Sequence, residues 1–110
     1  MAHIGSFKKV GTEFVGDIAT LEVDLRNVRF VPETGRSGEN PPSHLVFAGR
    51  AEIGAVWLKP APSPERRDYY SVKIDDPSLR EPIQANLYAD DRGEGWNLIW
   101  TRPTKQKAAA

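Results

Sequence analysis

YYSVKIDDPSL, residues 69–79, decides the fold because it contains a strand and the signal that ends it. Tyr70, Val72 and Ile74 alternate with more polar neighbours, and a period of two is that of a β-strand with one buried face. Tyr69 and Lys73 therefore fall on the opposite face of the same strand. Two adjacent acids and a proline follow, which is a composition typical of a turn.

The same period of two dominates the rest of the chain, and no window repeats apolar residues at the spacing of a helix. Gly11-Thr12 predicts a tight hairpin turn between the first two runs. The second run changes phase near Ala19-Thr20, which predicts a bulge or bend, and Asn27 is a candidate turn residue. The glycines of 49–54 lie within a run and indicate a bulge or sharp bend. Proline-rich and glycine-rich loops are expected at 32–43, 60–67 and 89–95.

About seven or eight short strands joined by such turns predict an all-β chain. We expect a single small antiparallel meander that forms a barrel or a two-layer sandwich. The domain should cover residues 1–103, and residues 104–110 should be a short flexible tail.

Composition excludes several classes of protein. There is no cysteine, so a disulfide framework, a thiolate zinc site and a cysteine nucleophile are excluded. Fifteen basic and fifteen acidic residues balance, so a nucleic-acid site would have to be a local patch. No apolar stretch is long enough to span a bilayer. We expect a cytoplasmic protein with no membrane partner and no cofactor.

Asp75, Asp76 and Pro77 are the residues that most resemble a chemical site. Adjacent residues of a strand point to opposite faces, so the two aspartates cannot share a ligand unless the chain turns there. An aspartate before a proline commonly accepts a downstream backbone N–H, and we favour this structural turn. The alternative is metal binding or acid/base catalysis.

His3 and His44 cannot complete a zinc site without carboxylates, and we expect His44 to be an exposed residue at the start of a strand.

Aromatic and basic residues are interleaved in the C-terminal half of the chain. Aromatic rings between cations on a β-surface bind single-stranded nucleic acid by base stacking and phosphate neutralisation. The candidate binding residues are Trp57, Lys59, Tyr69, Lys73 and Arg102. The alternative, which a domain of this size favours, is that the tryptophans fill the core and the cations form a solvated rim.

Several segments follow one another in a familiar order: IGSF, FVGDIATL, FAGRAEIGAVW, YYSVKIDDPS, PIQANL and LIWTR. Together they resemble the bacterial family known as domain of unknown function 736, from Ile4 to Arg102. The resemblance implies a small, single-domain bacterial protein often carried on plasmids and integrative elements. It implies no established activity.

Three hypotheses follow. The first is a non-enzymatic binding module of mobile-element biology that contacts single-stranded nucleic acid or a nucleic-acid-handling protein. The second is a protein-interaction or inhibitory module that acts through a strand edge or by forming a homo-oligomer. The third, less favoured, is a carboxylate-dependent enzyme that uses Asp75 or Asp76. Because the first hypothesis is preferred, the prediction is that the protein has no catalytic residue and no metal site.

Overall fold

The computed structural model describes residues 2–33, 41–61, 63–65, 67–90 and 95–102. These residues form eight antiparallel strands: β1 (Ala2–Val10), β2 (Glu13–Ala19), β3 (Asp24–Pro32), β4 (His44–Ala48), β5 (Ala51–Lys59), β6 (Tyr69–Ile74), β7 (Ile83–Ala89) and β8 (Gly95–Trp100). Each strand pairs with the next, and β8 pairs with β1, from Ala2↔Trp100 to Lys8↔Gly95. The all-β meander is thus confirmed, and of the two architectures expected it is the closed barrel. No helix in the described part of the chain is long and apolar enough to cross a membrane.

The barrel interior is filled by alternate residues of all eight strands, as an eight-stranded barrel requires. The predicted inward set of β6 is correct for Val72 and Ile74, which are buried, while Tyr70 is half-buried. The largest fully buried side chains are Phe14, Phe30, Ile18, Leu87, Leu98, Val28, Val46, Val56 and Val72. Phe7 lies opposite Gly16 in the register and packs on Phe30, with 4.6 Å between the ring centroids.

The hairpin at Gly11-Thr12 is confirmed, but two other turns differ from the sequence interpretation. Gly11 has a φ of 64°, and Val10 pairs with Glu13 across the two-residue turn. The expected bend near Ala19-Thr20 is instead a full reversal, in which Thr20 Oγ1 accepts the backbone N–H groups of Glu22 and Val23. The reversal replaces the continuous strand that the apolar pattern predicted there.

The second difference concerns Gly49, which the sequence placed inside one long run. Gly49 has a φ of 63° and forms, with Arg50, the turn between β4 and β5. Ala48 pairs with Ala51 directly across it. A positive φ is accessible to glycine at little steric cost, so the chain reverses here and makes two strands of the predicted one.

Bulges correct two further predictions. Asn27 does not turn the chain: Arg26 and Asn27 form a bulge in β3, where the two residues lie opposite Asp17 of β2. Asn27 has a φ of 57°, and its N–H donates to Asp17 Oδ1. In β5 the register shifts at Ile53, which is buried as an extra residue. Alternation in the sequence predicts that Ile53, Ala55 and Trp57 share one face. Because the bulge changes which residues face inward, Val56 is in the core instead and Trp57 is on the outer face.

The two ends of the barrel are built differently. The upper end carries the 11–12 turn and the connections that follow β3, β5 and β7; the lower end carries the connections 20–23, 49–50 and 75–82. The expected loop at 32–43 includes residues 34–40, and the tail 104–110 lies beyond Arg102; both fall outside the described residues.

Candidate functional site

A single outer surface of the barrel collects four of the five predicted binding residues. Trp57 and Lys59 alternate with buried Val56 on β5, and Tyr69 and Lys73 alternate with buried Val72 on β6, so all four side chains stand on the outside. Tyr88 of β7 joins them. We call these five residues, Trp57, Lys59, Tyr69, Lys73 and Tyr88, the β5–β7 face.

The register places these side chains next to one another. Lys59 pairs directly with Tyr69, and the rings of Tyr69 and Tyr88 lie 5.4 Å apart between centroids at an interplanar angle of 31°. Trp57 lies opposite Ser71 in the next row along the strands. Direct cross-strand neighbours are about 5 Å apart and diagonal ones about 7–8 Å apart. Lys59, Tyr69 and Tyr88 therefore form one row, and Trp57 lies diagonal to both Tyr69 and Lys73.

The β5–β7 face is accessible and positively charged. Tyr88 is 39% exposed, Lys73 is exposed, and Trp57, Lys59 and Tyr69 are half-buried. The paired segments that form the face, 55–59, 69–73 and 84–88, contain no aspartate or glutamate. Neither lysine forms an ion pair with a described residue. Both ammonium groups are therefore available to an anion.

Arg102, the fifth predicted residue, is not part of this surface. It follows the end of β8 at the lower end of the barrel, and its guanidinium carbon lies 5.3 Å from the centroid of the Trp100 ring. Trp96 and Trp100 pack against the core, as the alternative interpretation expected for the tryptophans, whereas Trp57 faces outward. Tyr88 was not among the predicted binding residues, because the alternation of β7 indicates only that its side chain faces outward.

Asp76 forms a turn. Its Oδ2 accepts the backbone N–H of Ser78 at 3.0 Å and the hydroxyl of the same serine, and these bonds hold the pKa of the Asp76 carboxyl below its usual 3.8. Asp75 is anchored through its backbone, whose N–H donates to the carbonyl of Ile53 at 2.7 Å. Pro77 lies exposed between the acceptor and the donor residue. The geometry is that of the structural turn.

His44 is buried, with 8% of its surface exposed, which corrects the expectation of an exposed strand-start residue. Closure of the barrel covers it: its ring lies 5.5 Å from Phe14 and 5.6 Å from Tyr70. Nε2 lies 3.2 Å from the carbonyl oxygen of Thr12, which can only accept, so Nε2 carries a hydrogen. Burial lowers the pKa of the imidazole below 6.5.

Tyr70 is affected by the same burial, which raises the pKa of its phenol above 10.0, and the nearby Asp68 carboxylate adds to the effect. The His44 imidazole and the Tyr70 phenol are therefore both neutral near pH 7. Among the described residues, no three histidine or acidic side chains are grouped so that they could hold a metal ion.

Comparison with protein families gives one match. The family described as protein of unknown function (DUF736) matches residues 3–103 of the 110-residue chain. The chain belongs to this family. No curated protein and no solved structure matches it.

Three glycines by which the chain resembles the DUF736 family have a steric role here. A Cβ added at Gly5 would lie 2.7 Å from the carbonyl oxygen of Asp17, and one at Gly16 would lie 2.7 Å from the Phe7 ring. At Gly54 it would overlap the carbonyl oxygen of Lys73. Real Cβ atoms do not approach so closely, so these positions allow neighbouring strands and the Phe7 ring to pack tightly.

Proposed function

We propose that this DUF736 protein is a non-enzymatic binding module whose β5–β7 face contacts single-stranded nucleic acid. The observation that supports the proposal is the group of three aromatic rings and two lysines, which form no ion pair with any described residue and lie on sheet segments that contain no acid. Stacking on Trp57, Tyr69 and Tyr88 would hold bases, and Lys59 and Lys73 would neutralise phosphates. A cytoplasmic role in bacterial mobile-element biology agrees with the family resemblance and the lack of cysteine.

Binding should be measured by fluorescence anisotropy with a labelled oligothymidine and with a matched duplex, from 20 to 300 mM salt. Tyr69→Ala or Tyr88→Ala should weaken single-strand binding by about 1–3 kcal/mol, the usual contribution of one stacked base. Lys73→Gln should reduce the slope of log affinity against log salt by about 0.7, the value for one released counterion on a single strand.

Matched controls lie elsewhere on the outside of the barrel. Phe47 is a half-buried aromatic residue on β4, and Lys8 is an exposed lysine on β1. Phe47→Ala and Lys8→Gln should leave affinity and salt slope unchanged. If the wild-type protein binds no single strand at 20 mM salt, or if the controls weaken binding as much as the face variants, the nucleic-acid proposal is wrong.

A second candidate function is self-association through the outer surface of β3–β5. Val31, Leu45 and Ala55 are neighbours across these strands, and each side chain alternates with buried residues and so faces outward. Closure pairs every described strand on both sides, so association through a free strand edge has no support in the described part of the chain. Sedimentation of the wild type and of Leu45→Glu tests it: an equal, monomeric mass for both removes this candidate.

A further inference from the structure

A cavity of about 490 Å³ opens at the lower end of the barrel, away from the β5–β7 face. Its inner wall consists of the core residues Ile18, Ile53 and Ile74, which are at most 5% exposed. Leu79 and Ile83 add to the apolar lining. Volumes of 300–1,000 Å³ with apolar walls are typical of small-molecule sites.

The mouth of the cavity is held by hydrogen bonds within its own loops. Leu79 N–H donates to the carbonyl of Asp76 at 2.8 Å, and the Asp76 carboxylate binds Ser78, so this turn places Leu79 in the wall. Thr20 Oγ1 and the carbonyl of Val23 fix the loop on the other side, which supplies Glu22. The mouth is therefore formed before any ligand arrives.

The charged residues that line the cavity have one sign. Glu22, Asp24 and Asp76 lie at it, and no described lysine, arginine or histidine lines it. Asp24 has a cationic neighbour, Arg26, at 3.9 Å, but both side chains are more than 70% exposed and such a pair is weak. Ser78 keeps the pKa of Asp76 low, so this carboxylate stays ionised near neutral pH.

We propose that this cavity binds a small hydrophobic organic cation. The apolar body of the ligand would contact Ile18, Ile74 and Leu79, and its ammonium group would lie at the rim beside Glu22 and Asp24. Apolar walls around charges of one sign concentrate the field at the mouth, which selects the cation over a neutral or anionic molecule of the same shape. The site is independent of the proposed nucleic-acid surface.

Three probes of similar shape test the charge selectivity: 2-phenylethylammonium, 2-phenylethanol and 3-phenylpropionate. Binding is followed by methyl chemical shifts of the isoleucine and leucine residues in NMR spectra at low salt. The cation should shift the methyl groups of Ile18, Ile74 and Leu79, and it should bind at least about fivefold more tightly than the alcohol. The anion should bind most weakly.

The double variant Glu22→Gln/Asp24→Asn should reduce the affinity for the cation to that for the alcohol and leave the alcohol unchanged. Glu13→Gln, at the upper end of the barrel, is the matched charge control and should have no effect. Tyr69→Ala should not affect any probe, which separates this site from the β5–β7 face. Equal affinity for all three probes, no binding of the cation, or shifts confined to other methyl groups would overturn the proposal.

Discussion

The close approach of β5 to β6 at Gly54 allows the loss of stability in a Gly54→Ala variant to be predicted. A Cβ added there would overlap the carbonyl oxygen of Lys73 and lie 3.0 Å from Ile74 Cα. These are backbone atoms, so no side-chain rotation relieves the overlap, and the strands would have to separate by about 1 Å. Gly54→Ala should therefore cost about 1–3 kcal/mol for overpacking, plus about 1 kcal/mol for each weakened hydrogen bond of the ladder.

Gly49→Ala is the matched control because a Cβ at Gly49 has no atom within 4 Å but must adopt a φ of 63°. That conformation costs an alanine about 1–2 kcal/mol. Urea unfolding followed by tryptophan fluorescence should show Gly54→Ala to be the less stable variant by about 2 kcal/mol. The steric argument fails if Gly54→Ala is as stable as Gly49→Ala.

Three further outcomes are expected. In an NMR titration the His44 imidazole should have a midpoint below pH 6.5. The free energy of unfolding should fall as the pH drops below 6.5, because the unfolded state then binds the proton more readily than the folded state. A His3→Gln variant removes the signal of the exposed His3 and so identifies the signal of His44. Asp76→Ala should destabilise the fold at pH 7 more than Asp75→Ala does, and this gap should close below pH 3.8 as the low-pKa carboxyl is protonated; an equal effect of both variants would contradict the turn assignment. Leu21→Gln should change the free energy of unfolding by less than about 0.5 kcal/mol, because Leu21 is fully exposed. A larger loss of stability would show that its side chain is covered.

Local alternation was sufficient to predict most of the strand segments, because their side-chain period of two is set by backbone geometry alone. In β7, for example, alternation predicts that Ile83, Ala85 and Leu87 share the inward face. In the structure Ala85 and Leu87 are buried, and Ile83 packs against the core. Closure of the barrel depends instead on the pairing of β1 with β8, residues more than 80 apart in the chain. No local pattern contains that pairing, so a sandwich remained an equal alternative.

The alternation of apolar residues did not predict the turn that contains an apolar residue, nor the bulge in β5. Leu21 lies in the reversal between β2 and β3 and is fully exposed, yet in the sequence it looks like a continuing strand position. The bulge at Ile53 similarly shifts the phase of β5, which moves Trp57 outside. A bulge is defined by the pairing with the neighbouring strand, and alternation within one strand does not contain that pairing.

Four of the five residues of the β5–β7 face were predicted from the sequence, and two of them could be assigned to the outer side of their strand. Tyr69 and Lys73 were placed on the exposed side of β6 by alternation alone, and the structure puts them there. The addition of Tyr88 required the β6–β7 register, and the separation of Arg102 required its stacking on Trp100. Both are non-local facts.

The distribution of charge explains how a chain with no net charge can have a surface suited to an anion. The β5–β7 face has two lysines and no acid, whereas the lower cavity is lined by Glu22, Asp24 and Asp76. Under the proposed function, a nucleic acid would be repelled from the cavity mouth and attracted to the side of the barrel. Because three strands at about 4.8 Å spacing span only about 10 Å, the proposed site would contact only a few bases, and its affinity for a single strand should be modest and strongly reduced by salt.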